Sequence, residues 1–80
     1  MSKIEKKFGV VVRKRRHALG LSQEVFAEKA QIHRTYVSEI ESGKVNVGIS
    51  VAERLADALG KPLSLLIKEA EAEYKTKKKF

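Results

Sequence analysis

The stretch "SQEVFAEKAQIHRTYVSEIES", Ser22 to Ser42, carries two apolar sets at helical spacing with a polar residue, Gln31, between them. In the first set Val25, Phe26 and Ala30 share an inward face while Glu28 and Lys29 face water, and Ala27 offers a small side chain where another helix can come close. Ser22 suits the N-cap of this helix, and Glu24 stands where the helix dipole favours an anion. The second set, Val37 and Ile40, belongs to a helix from His33 to Ser42 that stops at Gly43, a residue suited to the left-handed position after a helix. Neither Gly nor Pro marks the break, so periodicity alone also admits a single helix over 22–42.

Working outward, residues 4–19 read as a first helix, with Phe8, Val11, Val12 and Leu19 on its apolar face and Gly20 closing it. Arg15 interrupts that face, and its aliphatic stem can lie along the core edge. Beyond Val45, Asn46 and Val47, either Gly48 or Ser50 can cap a fourth helix whose inward residues are Ile49, Ala52, Leu55, Ala56 and Leu59. Gly60 ends it, and Pro62 fits the first turn of a fifth helix carrying Leu63, Leu66, Ile67 and Ala70. The segment 69–74 extends this last helix. No strand alternation of useful length occurs, so the expected fold is all-α with five helices in one domain, residues 1–74, followed by a basic, disordered tail, 75–80.

Composition sets limits on function. Eighty residues leave room for one core, and a chain this short buries only about 60 to 65% of its unfolded surface, so a subunit partner would add stability. Without cysteine there is no disulfide or thiolate metal site, and His17 and His33 lie too far apart in sequence to suggest ligand spacing. No catalytic constellation or cofactor motif is present: Ser22 and His33 are explained as a cap and a helix start. No signal peptide or long apolar span is evident, and the expectation is a soluble, cytoplasmic protein without a membrane partner. The net charge of +7 invites an anionic partner, yet residues 8–74 hold ten basic and nine acidic groups, so the charge sits largely at the ends.

Several separated pieces, "GLSQ" at 20–23, "FAEKA" at 26–30, "RTYVSEIESGK" at 34–44 and "ALG" at 58–60, occur in the order and spacing of one known family. Over roughly residues 8–67 the chain resembles the Cro and phage-repressor (Xre) helix-turn-helix family, and the wording "RTYVS" looks closest to the controller proteins of restriction-modification systems. The resemblance implies a five-helix, lambda-repressor-like DNA-binding domain with its helix-turn-helix at 22–42. It also implies a homodimer on a pseudo-palindromic double-stranded operator, regulating transcription by blocking or recruiting RNA polymerase. Antitoxin-type and prophage regulators share the scaffold, and for those the main partner can be another protein. The chain departs from the family at Gln31, where glycine is common, at His33, where a Ser, Thr or Asp cap is frequent, and at Val45, often arginine in controllers.

The expected DNA-facing residues follow from the third helix. At about 100° per residue, His33, Val37 and Ile40 share the core side, opposite Thr35, Ser38, Glu39 and Ser42, with Arg34 and Tyr36 flanking. Arg34 suits bidentate bonds to guanine O6 and N7 and Thr35 a thymine methyl, while Glu39 either accepts from cytosine N4 or lies beyond the contact zone and excludes other sequences. Tyr36 can bond a phosphate or simply pack at the core edge; Arg34 can instead be an exposed cation paired with Ser38 or a nearby glutamate. The resemblance implies that Gln23 holds a backbone phosphate and that Arg16 and Glu41 form a salt bridge setting the angle of the third helix. Lys44 and Asn46 can reach phosphate from the following loop. Val51 and Leu65, outside the main apolar faces, are expected at the dimer interface.

Overall fold

The computed structural model describes residues 3–78, with side chains over residues 4–72. Five helices follow one another: α1 (Lys3–Ala18), α2 (Gln23–Ala30), α3 (Arg34–Glu41), α4 (Ile49–Leu59) and α5 (Leu63–Lys78). Among the described residues there is no strand. α1 runs along α5 and also touches α3 and α4; α2 rests on α3 and α4. Phe26, Ile40, Leu55, Leu66, Val12 and Val37 are the largest fully buried side chains, so every helix contributes to a single core.

The break between α2 and α3 is made by Gln31, which adopts a left-handed conformation at φ 59°, ψ 44°. The Ile32 amide then donates to the carbonyl of Ala27 at 3.0 Å, satisfying an end-of-helix acceptor. Two helices rather than one are thus formed without Gly or Pro. The turn is held from outside as well, because Arg54 Nη1 of α4 donates to the Gln31 carbonyl at 3.4 Å.

Five side chains expected in the core are exposed instead. Leu19 is 54% exposed: α1 stops at Ala18, Gly20 turns at φ 70°, and Leu21 is the residue that folds back against the core. Val25 is 43% exposed because Phe26, Ala27 and Ala30 define the buried stripe of an eight-residue helix. His33 is exposed and lies before α3 as its N-cap rather than on its inner face. Ile49, the first residue of α4, is 80% exposed; a helical side chain covers the turn N-terminal to its own Cα, which here lies past the edge of the packed domain. Ile67 is also more open than expected, lining a shallow groove with Ile4, Phe8, Val47 and Ala52. Gly48 rather than Ser50 caps α4, without a side-chain bond. α5 continues through Lys78, so the backbone of 75–78 is helical; Lys79 and Phe80 lie outside the described residues.

Candidate nucleic-acid interface

α3 is an eight-residue helix whose start is held by the histidine that precedes it. His33 Nδ1 accepts from the Thr35 amide at 3.2 Å, the role a Ser or Asp oxygen more often fills. Ser22 caps α2 in the expected manner, its Oγ accepting from the Val25 amide at 3.1 Å. Behind α3, Val37 and Ile40 are buried, and Tyr36 packs its ring against the same core while the residue stays half-buried.

Arg34, Thr35, Ser38 and Ser42 are exposed, and Glu39 is half-buried. Among the described residues the guanidinium of Arg34 has no hydrogen bond or ion pair, so the alternative of a cation paired with Ser38 or a glutamate is not realised. Ser42 differs: its hydroxyl donates to the carbonyls of Ser38 at 3.0 Å and Glu39 at 3.1 Å, leaving only acceptor capacity for a ligand. Lys44 and Asn46 are exposed in the loop after α3.

Arg16 and Glu41 form the expected brace. Arg16 Nε donates to Glu41 Oε2 at 2.7 Å and Nη2 to Oε1 at 2.9 Å, a bidentate pair with both residues buried. Arg16 Nη1 donates to the Leu21 carbonyl at 2.8 Å, so α1, the loop before α2 and the end of α3 meet at one guanidinium. The hydrogen bond to Glu41 raises the Arg16 pKa, outweighing the opposing effect of burial. Gln23 joins the same group: its Nε2 donates to Glu41 Oε1 at 3.1 Å.

Sequence reasoning overlooked Gly9. A Cβ built there would sit 2.3 Å from the Ile40 carbonyl oxygen and 3.0 Å from that of Glu41. Only hydrogen at this position lets α1 approach the last turn of α3 so closely. The available signal was an uncapped glycine inside an otherwise regular helical pattern, which costs helix propensity and so calls for a packing reason. Val51 and Leu65 are half-buried, and Val51 packs partly on the core. Arg15, expected to snorkel, bonds Glu69 of α5 through Nε at 3.0 Å and through Nη2. No group of His, Asp and Glu among the described residues is placed to hold a metal, and no described helix is long and apolar enough to cross a membrane.

Two short helices joined by a tight turn, the second carrying an exposed polar face on a braced, buried back, define a helix-turn-helix DNA-binding domain. Residues 12–66 match the helix-turn-helix family, and the chain belongs to it, as an Xre-type DNA-binding transcription regulator and not an enzyme. The chain is 40% identical over 74 residues to the control protein C.MunI of a Mycoplasma species, covering 91% of this chain and all of that protein. It is 43% identical over 61 residues to the control protein C.BamHI of Bacillus amyloliquefaciens, covering 74% of this chain and 75% of the other. The crystal structure of the restriction-modification controller protein C.AhdI from Aeromonas hydrophila superposes with a TM-score of 0.75 at 39% identity, covering 76% of this chain and 92% of that one. These relatives bear out both the helix-turn-helix reading of "FAEKA" and "RTYVSEIESGK" and the likeness to restriction-modification controllers.

Proposed function

We propose that this regulator binds a pseudo-palindromic operator as a homodimer and serves as a restriction-modification controller, setting transcription by where it sits relative to RNA polymerase in the cytoplasm. The observation that carries the reading is Arg34: an unpaired guanidinium at the first turn of α3, beside exposed Thr35, on a helix braced from behind by Arg16 and Glu41. The N-terminal residues of a recognition helix meet base edges, and a free guanidinium matches guanine O6 and N7. Small exposed side chains at Thr35 and Ser38 let the helix enter the groove. Glu39 either accepts from cytosine N4 or excludes other sequences by repulsion. Gln23, Tyr36, Lys44 and Asn46 surround this face as phosphate contacts that set register without reading sequence, while Ser42, its proton already donated within α3, can only accept from a base N–H in the groove.

For the dimer, the half-buried Val51 and Leu65 contribute apolar surface. A two-fold pair spaces its recognition helices about 34 Å apart, one turn of B-DNA.

The test is selection of bound duplexes from a random pool, repeated with Arg34→Ala at several salt concentrations. Two related half-sites are expected, with preference lost at one base position per half-site in the variant, worth about 1 to 3 kcal/mol of discrimination. Failure to enrich any sequence would refute the reading, and copurification of an unrelated small protein would point to the antitoxin-type alternative.

A further inference from the structure

We propose that Glu41 is a positioning residue for DNA binding: by holding one N–H of the Gln23 side-chain amide, it aims the other at a backbone phosphate. This inference rests on the DNA reading above.

Ionised Glu41 offers only acceptors, so the contact at 3.1 Å must come from the Gln23 nitrogen and not from its oxygen. A planar amide with one N–H fixed has its second N–H and its oxygen fixed too. Among the described residues neither of these has a partner, so both are available to a ligand. Gln23 is the first residue of α2. Held rigid, it meets a phosphate without losing rotamer freedom at the moment of binding; free, it would lose that freedom then.

The arrangement also explains why an acid can stand so near a phosphate-binding residue. Glu41 Oε1 is 2.9 Å from Arg16 Nη2 and 3.1 Å from Gln23 Nε2, and Oε2 is 2.7 Å from Arg16 Nε. The guanidinium cancels the charge that would otherwise repel DNA. The carboxylate is thereby left to work as a hydrogen-bond acceptor. The same Arg16 ties the loop entering α2 through the Leu21 carbonyl, so the backbone that carries Gln23 and the side chain that aims it share one anchor. Phosphate contact and recognition-helix angle are then set by one group, and a shift in one is felt by the other.

The test is a cycle of duplex affinities with Gln23→Ala introduced into the wild-type chain and into a chain carrying Arg16→Met and Glu41→Met together, which leaves no lone buried charge. Because the contact is to phosphate, losses should be equal on operator and random duplex. Gln23→Ala should weaken the wild-type protein at least about tenfold, the size of one hydrogen bond to an anionic oxygen, and the doubly substituted protein by less than about threefold. Equal losses in both backgrounds would overturn the inference. Should the doubly substituted chain not fold by circular dichroism, NMR of the Gln23 side-chain amide in the wild-type protein decides. One proton protected before DNA and the other shifting on addition of duplex supports the proposal, whereas two equally exchanging protons refute it. A wild-type chain that binds no duplex would overturn the DNA reading itself and this inference with it; duplex binding with additive losses would overturn this inference alone.

Discussion

Replacing Gly9 by alanine should destabilise the domain, although a glycine inside a helix ordinarily gains from that change. The added Cβ would stand 2.3 Å from the Ile40 carbonyl oxygen, against a carbon–oxygen contact of about 3.3 Å in packed helices. α1 and the end of α3 must therefore separate by about 1 Å, and the obstacle is backbone, which cannot swing aside. Overpacking of this kind costs about 1 to 3 kcal/mol, and the backbone clash puts Gly9 at the upper end; better helix propensity returns up to about 1 kcal/mol. The net expectation is a loss of about 2 kcal/mol, or roughly 8 to 16 °C in Tm for a domain of this size. That is a large share of the roughly 4 to 12 kcal/mol such a chain possesses. Thermal and urea denaturation followed by circular dichroism measures it. Duplex affinity, taken where both proteins are folded, should fall as well, since the same movement stretches the 2.7 and 2.9 Å bonds between Arg16 and Glu41. A variant that melts at or above the wild-type temperature would show that α3 yields freely and that Gly9 does not set its position.

Three further outcomes are expected. Removing Arg16 or Glu41 alone should cost about 3 to 5 kcal/mol by leaving a buried charge, while replacing both by apolar residues should cost much less; urea midpoints at unchanged m-value test this, and additive losses would contradict it. Gln31→Gly should stabilise the domain by up to about 1 kcal/mol, because glycine adopts φ 59° without the penalty borne by glutamine, and a lower Tm would contradict it. Glu69 has its pKa lowered, chiefly by the hydrogen bonds from Arg15, with Lys61 and Lys14 adding to the effect. A depressed carboxyl contributes stability above its unfolded pKa and loses it as pH falls through the folded value, so Glu69→Gln should flatten the acid limb of a stability-against-pH curve. An acid limb unchanged from wild type would mean that the pair contributes nothing in solution.

Much of the site was legible because helical spacing ties direction to position. Once Val37 and Ile40 face the core, Thr35 and Ser38 must face away, and Arg34 must flank them. Ser22 and Gly43 announced their caps by chemistry alone. The Arg16–Glu41 pair came from family resemblance, not from any local pattern, since its partners stand 25 residues apart. Gly9 was passed over for a related reason: its significance lies in the carbonyls of another helix. The errors at Leu19, Val25, His33 and Ile49 share a cause, for each sits at or near a helix end, where periodicity assigns a face but not whether anything covers it.

By itself the sequence determined the helical segments, the faces of their interior turns and the polar surface of α3, all of which depend on residues within a few positions of one another, but its periodicity left 22–42 open to one helix or two. Tertiary structure decided how α3 is held: the Gly9 approach, the sharing of Glu41 between Arg16 and Gln23, and the latch of Arg54 on the turn at Gln31. Those contacts join residues 18 to 32 positions apart along the chain, and their distances exist only once the core has brought the helices together.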